Sequence, residues 1–185
     1  LKWSELKKDG QLKTGKIIQR EGLSELLHAS NAGPAPLNLR LATLETTGIS
    51  KTCFRIRGRI HYKGVAQPGF LEMWSQFAGG GRYFSRTLSS DGPMRTIHGD
   101  SESREFILPF KSSAENGPPT RIEINLVLPA AGEVWLSEID VHEFDEDEWE
   151  YAILAEGAWW GGKSAGLIGA IMGPLLGIIG AIIGT

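Results

Sequence analysis

At 185 residues, with 41% apolar and 22% charged side chains, the chain has the size and composition of one globular domain plus an extension, at roughly 100 to 200 residues per domain. A formal net charge of −3 gives no reason to expect a nucleic-acid partner, and a single cysteine excludes an intramolecular disulfide and a cysteine metal cluster. Asp145, Glu146, Asp147, Glu148 and Glu150 concentrate the negative charge, so the remainder is slightly positive.

The chain begins with Leu and has no charged-then-apolar leader, which reads as a fragment or a processed form. Its opening residues form a short amphipathic turn that is expected to pack Trp3 and Leu6 against the domain. Ile17-Ile18 and Leu26-Leu27, separated by Glu21-Gly22, predict a hairpin. After the Gly- and Pro-rich loop from Asn31 to Pro36, Leu37, Leu39, Leu41 and Thr43 alternate with Asn38, Arg40 and Ala42, predicting a half-buried strand.

The stretch from Cys53 to Leu88 organises the rest. Phe54, Ile56, Gly58, Ile60 and Tyr62 share one face, opposite Arg55, Arg57, Arg59, His61 and Lys63. A second segment places Leu71, Met73, Ser75 and Phe77 opposite Phe70, Glu72, Trp74 and Gln76. Read as neighbouring strands, the two set a basic stripe beside a Glu/Trp/Gln stripe. Gly79 to Gly81 predict a hairpin turn into a strand in which Arg86, Phe84 and Leu88 share a face. Cys53, at the head of the basic strand, reads as a buried, inert thiol.

Ser89 to Ser103 reads as a polar loop. Phe106, Leu108 and Phe110 then alternate, and Pro118-Pro119 closes a further loop. Ile122, Ile124, Leu126 and Leu128 form the cleanest apolar face, opposite Arg121, Glu123, Asn125 and Val127. In VWLSEIDVHEF the apolar parity changes between Leu136 and Ile139, predicting a bulge near Ser137 and Glu138. About nine short strands with little helical periodicity predict an all-β, antiparallel two-sheet β-sandwich of jelly-roll type over residues 1–144.

Residues 145–163 read as an acidic and aromatic juxtamembrane linker. Residues 164–185 are uncharged and mostly apolar or Gly, long enough for a transmembrane helix at about 20 residues per crossing, with Trp159 and Trp160 where an interfacial belt belongs. Gly166, Gly169, Gly173, Gly177, Gly180 and Gly184 recur every three or four residues, a face through which helices associate in lipid. The natural chain is expected to continue past Thr185.

Catalytic patterns are sparse. His28, His61, His98 and His142 fall on different predicted elements, so no metal site is expected, and no phosphate loop or nucleophile elbow is present. Glu72 and Glu123 both face outward and leave a glycoside hydrolase as the enzymatic alternative. A binding surface fits better: Arg55, Arg57, Arg59, His61, Glu72, Trp74, Gln76 and Arg86 offer the guanidinium, carboxylate, amide and aromatic groups that hold a carbohydrate or other small polar ligand. The competing reading is cross-strand pairing, with Arg57 or Arg59 neutralising Glu72.

The segments SESREFILPF, PPTRIEINLVLP and GEVWLSEIDVHEF resemble the galactose-binding-domain-like jelly roll of carbohydrate-binding modules. In the last of them, Val134, Trp135, Leu136 and then Glu138 to Val141 match an aromatic-aliphatic closing strand. Glu138 stands where that pattern often has an Asp, and no acidic calcium-binding signature is evident; the resemblance implies the fold and neither a calcium nor a sugar. YKGV, GFLEMWSQF, YFSRTL and the Gly-rich segment together are similar to a group of bacterial membrane-anchored proteins of unassigned function. The expectation is therefore a single-pass, extracytoplasmic, non-catalytic binding domain without cofactor. The alternative is an assembly protein that forms homo-oligomers through its glycine face, with the sandwich as spacer or partner platform.

Overall fold

A computed structural model describes residues 1–19, 25–45, 48–137 and 139–150. One compact unit runs from Leu1 to Trp149. The expected membrane helix at 164–185, its glycines from Gly166 to Gly184, and Glu138 lie outside the described residues, among which no helix is long and apolar enough to cross a membrane.

The described residues open with α1 (Trp3–Lys8), and nine strands follow among them: β1 (Lys16–Ile18), β2 (Leu26–Asn31), β3 (Leu37–Leu44), β4 (Cys53–Gln76), β5 (Arg82–Arg86), β6 (Ile97–Lys111), β7 (Arg121–Leu128), β8 (Gly132–Leu136) and β9 (Asp140–Phe144). All pairings between them are antiparallel, and the fold is all-β as expected.

The central stretch corrects one expectation. Its two alternating segments are not neighbours; they are the two ends of one 24-residue strand, β4. The first end pairs with β6 along one edge and with β8 and β9 along the other. The second end lies between β5 and β7, with β3 beyond β7. β4 thus belongs to two arms of one curled sheet, and its basic and Glu/Trp/Gln stripes lie on different arms.

The bend has a local cause. The β4–β6 register slips between Tyr62 and Val65 and again between Val65 and Gly69, and such irregularities let a strand switch sheets. Gly64 adopts φ 61°, a left-handed conformation that strains other residues. At Gly69 a Cβ would stand 2.5 Å from the Val127 carbonyl oxygen, so glycine permits the close approach of β4 to β7.

The inner faces of both arms meet in a single core. Phe54, Ile56, Ile60 and Tyr62 come from one end of β4, Leu71 and Met73 from the other, and all are at most 2% exposed. Phe77 and Phe110 stack across the arms at 5.9 Å. Burying each large apolar side chain stabilises the fold by about 1.5–3 kcal/mol. Trp3 is fully buried as expected, and its Nε1–H donates to the Leu136 and Ser137 carbonyls at 3.1 and 2.7 Å, fixing α1 to the end of β8.

Three further expectations change. Ser89 to Ser103 is not all loop, because β6 begins at Ile97 to follow the bent β4. The closing segment is two strands, not one bulged strand: β8 and β9 pair with successive parts of β4, and the break lies where parity changes. A register irregularity between Arg40 and Ala42 puts Leu41 and Ala42 both inside, and Thr43 opposite Glu123. The Cys53 thiol is buried, and desolvation pushes its pKa up. The start of the acidic segment is tied to the sheet, with Asp145 bonded to Lys51 at 2.7 Å and Glu146 paired with Lys111.

Candidate functional site

The outward face of the arm formed by β5, the second end of β4, β7 and β3 carries a groove of about 570 Å³, lined by Asn38, Arg40, Phe70, Glu72, Trp74, Arg82, Arg86, Asn125 and Val127. Side chains on paired antiparallel strands meet in cross-strand rows. One row runs Arg86–Glu72–Asn125–Arg40 across all four strands; the next holds Phe84, Trp74 and Glu123. Apolar inward positions on these strands hold the face in place, with Leu71, Met73, Ile124 and Leu126 at most 1% exposed.

Two buried carboxylates form a floor beneath the arginines, Glu72 in the groove lining and Glu123 beside it under Arg40 and Arg82, each with its side chain only 4% exposed. Glu72 accepts from Trp74 Nε1 at 2.5 Å, Arg86 Nε at 2.5 Å and Asn125 Nδ2 at 3.2 Å. Glu123 accepts from Arg82 Nη2 at 3.0 Å and Gln76 Nε2 at 3.3 Å, and it pairs with Arg40 at 3.1 Å and Arg121 at 3.6 Å. Both oxygens of each carboxylate are engaged, which satisfies the cost of burying charge.

The guanidinium groups lie above this floor. Arg82 stands over the Trp74 ring at 4.3 Å, and Arg86 over Phe84 at 4.1 Å and Phe70 at 5.2 Å. Trp74 meets Phe84 edge to face at 5.0 Å. Stacked and paired, each arginine holds a defined orientation.

Of the residues singled out in the sequence, Glu72, Trp74, Gln76 and Arg86 come together here. Arg55, Arg57, Arg59 and His61 do not; they belong to the other arm and are paired there. Arg57 Nε bonds Asp140 at 2.9 Å, Arg59 Nε bonds the Ser103 hydroxyl at 3.0 Å, and Arg55 is 7% exposed opposite Pro109 and His142. His61 packs on Trp135 at 4.9 Å, with His28 stacked on the same ring at 4.8 Å. The expected cross-strand neutralisation of Glu72 is present, with Arg86 rather than Arg57 or Arg59 as its partner.

Asn38, Arg40, Phe70, Arg82, Asn125 and Val127 were missed as site residues. Each had the right parity on its own strand, but nothing in the sequence set β3, β4, β5 and β7 side by side. Among the described residues no group of three or more His, Cys, Asp or Glu side chains could hold a metal ion.

No family profile and no curated protein matches this chain. Solved structures with a similar course include a carbohydrate-binding module, TmCBM61, in complex with β-1,4-galactotriose. It is 11% identical over 74% of this chain and 93% of that one, with a TM-score of 0.45. The CBM22-1 xylan-binding domain of Paenibacillus barcinonensis Xyn10C is 12% identical over 70% of this chain and 80% of its own, with a TM-score of 0.44. The family 11 carbohydrate-binding module of Clostridium thermocellum Lic26A-Cel5E is 14% identical over 71% and 81%, also at 0.44. At these values the likeness concerns the course of the β-sheet, and the functional reading rests on the groove itself.

Proposed function

We propose that the chain is a jelly-roll binding module that holds a glycan in the groove of Glu72, Trp74, Arg86 and Asn125 without converting it. The observation that carries this reading is the row Arg86–Glu72–Asn125–Arg40, in which Arg86 and Asn125 are held by Glu72, Arg40 is held by Glu123 of the next row, and all four open onto one groove. Preorganised polar groups beside aromatic rings suit a ligand with many hydroxyls, since little ordering remains to be done on binding. A hydrolase needs one carboxyl within reach of the glycosidic oxygen and a second on the far side. Glu72 and Glu123 face the same way, are 4% exposed and have both oxygens engaged, which supports binding over cleavage.

The apolar segment 164–185 would anchor this module in a bacterial membrane, with residues 1–144 outside and 145–163 leading into the span. The spacing of Gly169, Gly173 and Gly177 favours a second reading, in which the helix oligomerises and the β domain is a partner platform. Retention of the full chain on immobilised polysaccharides separates the two. The first expects retention lost in Arg86→Gln, with no reducing sugar released. Absence of retention on every polysaccharide, together with self-association abolished by Gly173→Ile, would favour the second.

A further inference from the structure

Resting on that glycan-binding reading, we infer that the groove takes an acidic polysaccharide, one whose sugar rings carry carboxylate or sulfate groups, rather than a neutral one. The lining holds three arginines, Arg40, Arg82 and Arg86, and one carboxylate, Glu72; Glu123, the partner of Arg40 and Arg82, is the second carboxylate they neutralise. Arg121 stands at the margin, shared at 3.6 Å between Glu123 and Glu45.

The charges are also layered. The carboxylates are sunk to 4% exposure, while the side chains of Arg40, Arg82 and Arg86 are 50%, 45% and 31% exposed. A ligand entering the groove therefore meets guanidinium groups first, with the negative charge beneath them already engaged. Each of these pairs runs through one guanidinium nitrogen, Nε for Arg86 and Nη2 for Arg40 and Arg82. A guanidinium has five N–H donors in a planar fork, and its remaining edge matches the two oxygens of a carboxylate or sulfate.

The aromatic rings point the same way. A neutral sugar is held largely by stacking on an aromatic face. Here Arg82 lies over Trp74, and Arg86 over Phe84 and Phe70, so a neutral ring would have to displace a guanidinium from its ion pair to stack at those positions. An anionic substituent pairs with the same guanidinium where it already stands, so the positive charge is used and not displaced. The two outer arginines, Arg86 and Arg40, close the ends of a four-strand row. They lie about 14 Å apart at roughly 4.8 Å per strand spacing, which suits repeated anionic groups along a chain.

The test uses the full chain with polygalacturonate, the same polymer after reduction of its carboxyl groups, a sulfated galactan and single-stranded DNA, with affinities measured at two salt concentrations. Polygalacturonate is expected to bind about tenfold or more tightly than its reduced form, with the advantage shrinking as salt rises. Arg40→Gln and Arg86→Gln should each cost about tenfold against the acidic polymer and narrow its advantage over the reduced one. Preference for polygalacturonate over the sulfated galactan assigns a carboxylate, and the reverse assigns a sulfate; either supports the inference.

Equal affinity for the acidic and the reduced polymer overturns the inference while leaving the glycan-binding reading intact. DNA bound as tightly as polygalacturonate overturns it as a general attraction of polyanions. Loss of all polysaccharide binding in the wild-type chain removes the glycan-binding reading itself. The comparison of ligands on the wild-type chain does not depend on either variant folding.

Discussion

Replacing Glu72 by Ala removes the acceptor on which β4, β5 and β7 converge at the centre of the groove. Its carboxylate takes hydrogen bonds from Trp74, Arg86 and Asn125, and hydrogen bonds to charged groups contribute about 1.5–3 kcal/mol each. The simple sum overstates the loss, because the Arg86 side chain is 31% exposed and recovers water once its partner is gone. Truncating one member of a fully buried pair costs about 3–5 kcal/mol, and partial exposure lowers the expectation to about 2–4 kcal/mol. For a domain of this size each kcal/mol shifts Tm by about 2–4 °C, so Glu72→Ala should melt about 4–16 °C below wild type. Urea unfolding followed by far-ultraviolet circular dichroism should show a lower midpoint at an unchanged slope. Glu72→Gln, which retains the shape and one acceptor oxygen, should fall in between. A Glu72→Ala protein within about 0.5 kcal/mol of wild type, the range of an ordinary surface substitution, would refute the claim that this carboxylate organises the face.

Trp3→Ala empties a fully buried site and removes the two bonds of Nε1 to the Leu136 and Ser137 carbonyls; a loss of about 3–5 kcal/mol is expected by denaturant titration. Gly69→Ala forces a methyl against the Val127 carbonyl oxygen, so β4 and β7 must separate. The expected cost is about 1–3 kcal/mol, with weaker ligand binding at the Phe70 end of the groove, measured by unfolding and calorimetry. Glu143 gives the fold an acid-sensitive point. Burial raises its pKa, but bonds from the Ser50 amide and hydroxyl and the Lys51 amide outweigh that, leaving it below the ordinary 4.5. A depressed carboxylate pKa stabilises the fold above the unfolded value and loses that contribution as pH falls through the folded one. Stability should therefore fall below about pH 4.5, less steeply in Glu143→Gln, as followed by Tm against pH. Cys53 should resist thiol reagents in the native protein and react at once in denaturant.

The faces of most strands were legible in the chain itself, because period-two alternation is a local property of sequence. Ile122 to Leu128 and Leu71 to Phe77 show it without interruption. What failed was continuity. Tyr62 and Phe70 looked like parts of separate strands because Lys63 to Gly69 breaks the alternation, yet that segment is the bend of a single strand. Conversely, the parity change between Leu136 and Ile139 looked like a bulge and is a break between two strands. A register irregularity, a corner and a chain break disturb the same pattern, and only the partner strand tells them apart.

The candidate site divides in the same way. Sequence alone determined that Glu72, Trp74 and Gln76 face outward together, that Arg86 sits with Phe84, and that Glu123 and Asn125 lie opposite a buried face. Tertiary structure decided the neighbours. It sent Arg55, Arg57, Arg59 and His61 to the other arm and brought Arg40, Arg82 and Asn125 onto the two floor carboxylates. The physical reason is that alternation assigns a side chain to a face one strand at a time. Which charges meet depends on the order and register of strands far apart in the chain, and here those follow from a strand bent between Gly64 and Gly69 so that it serves both arms.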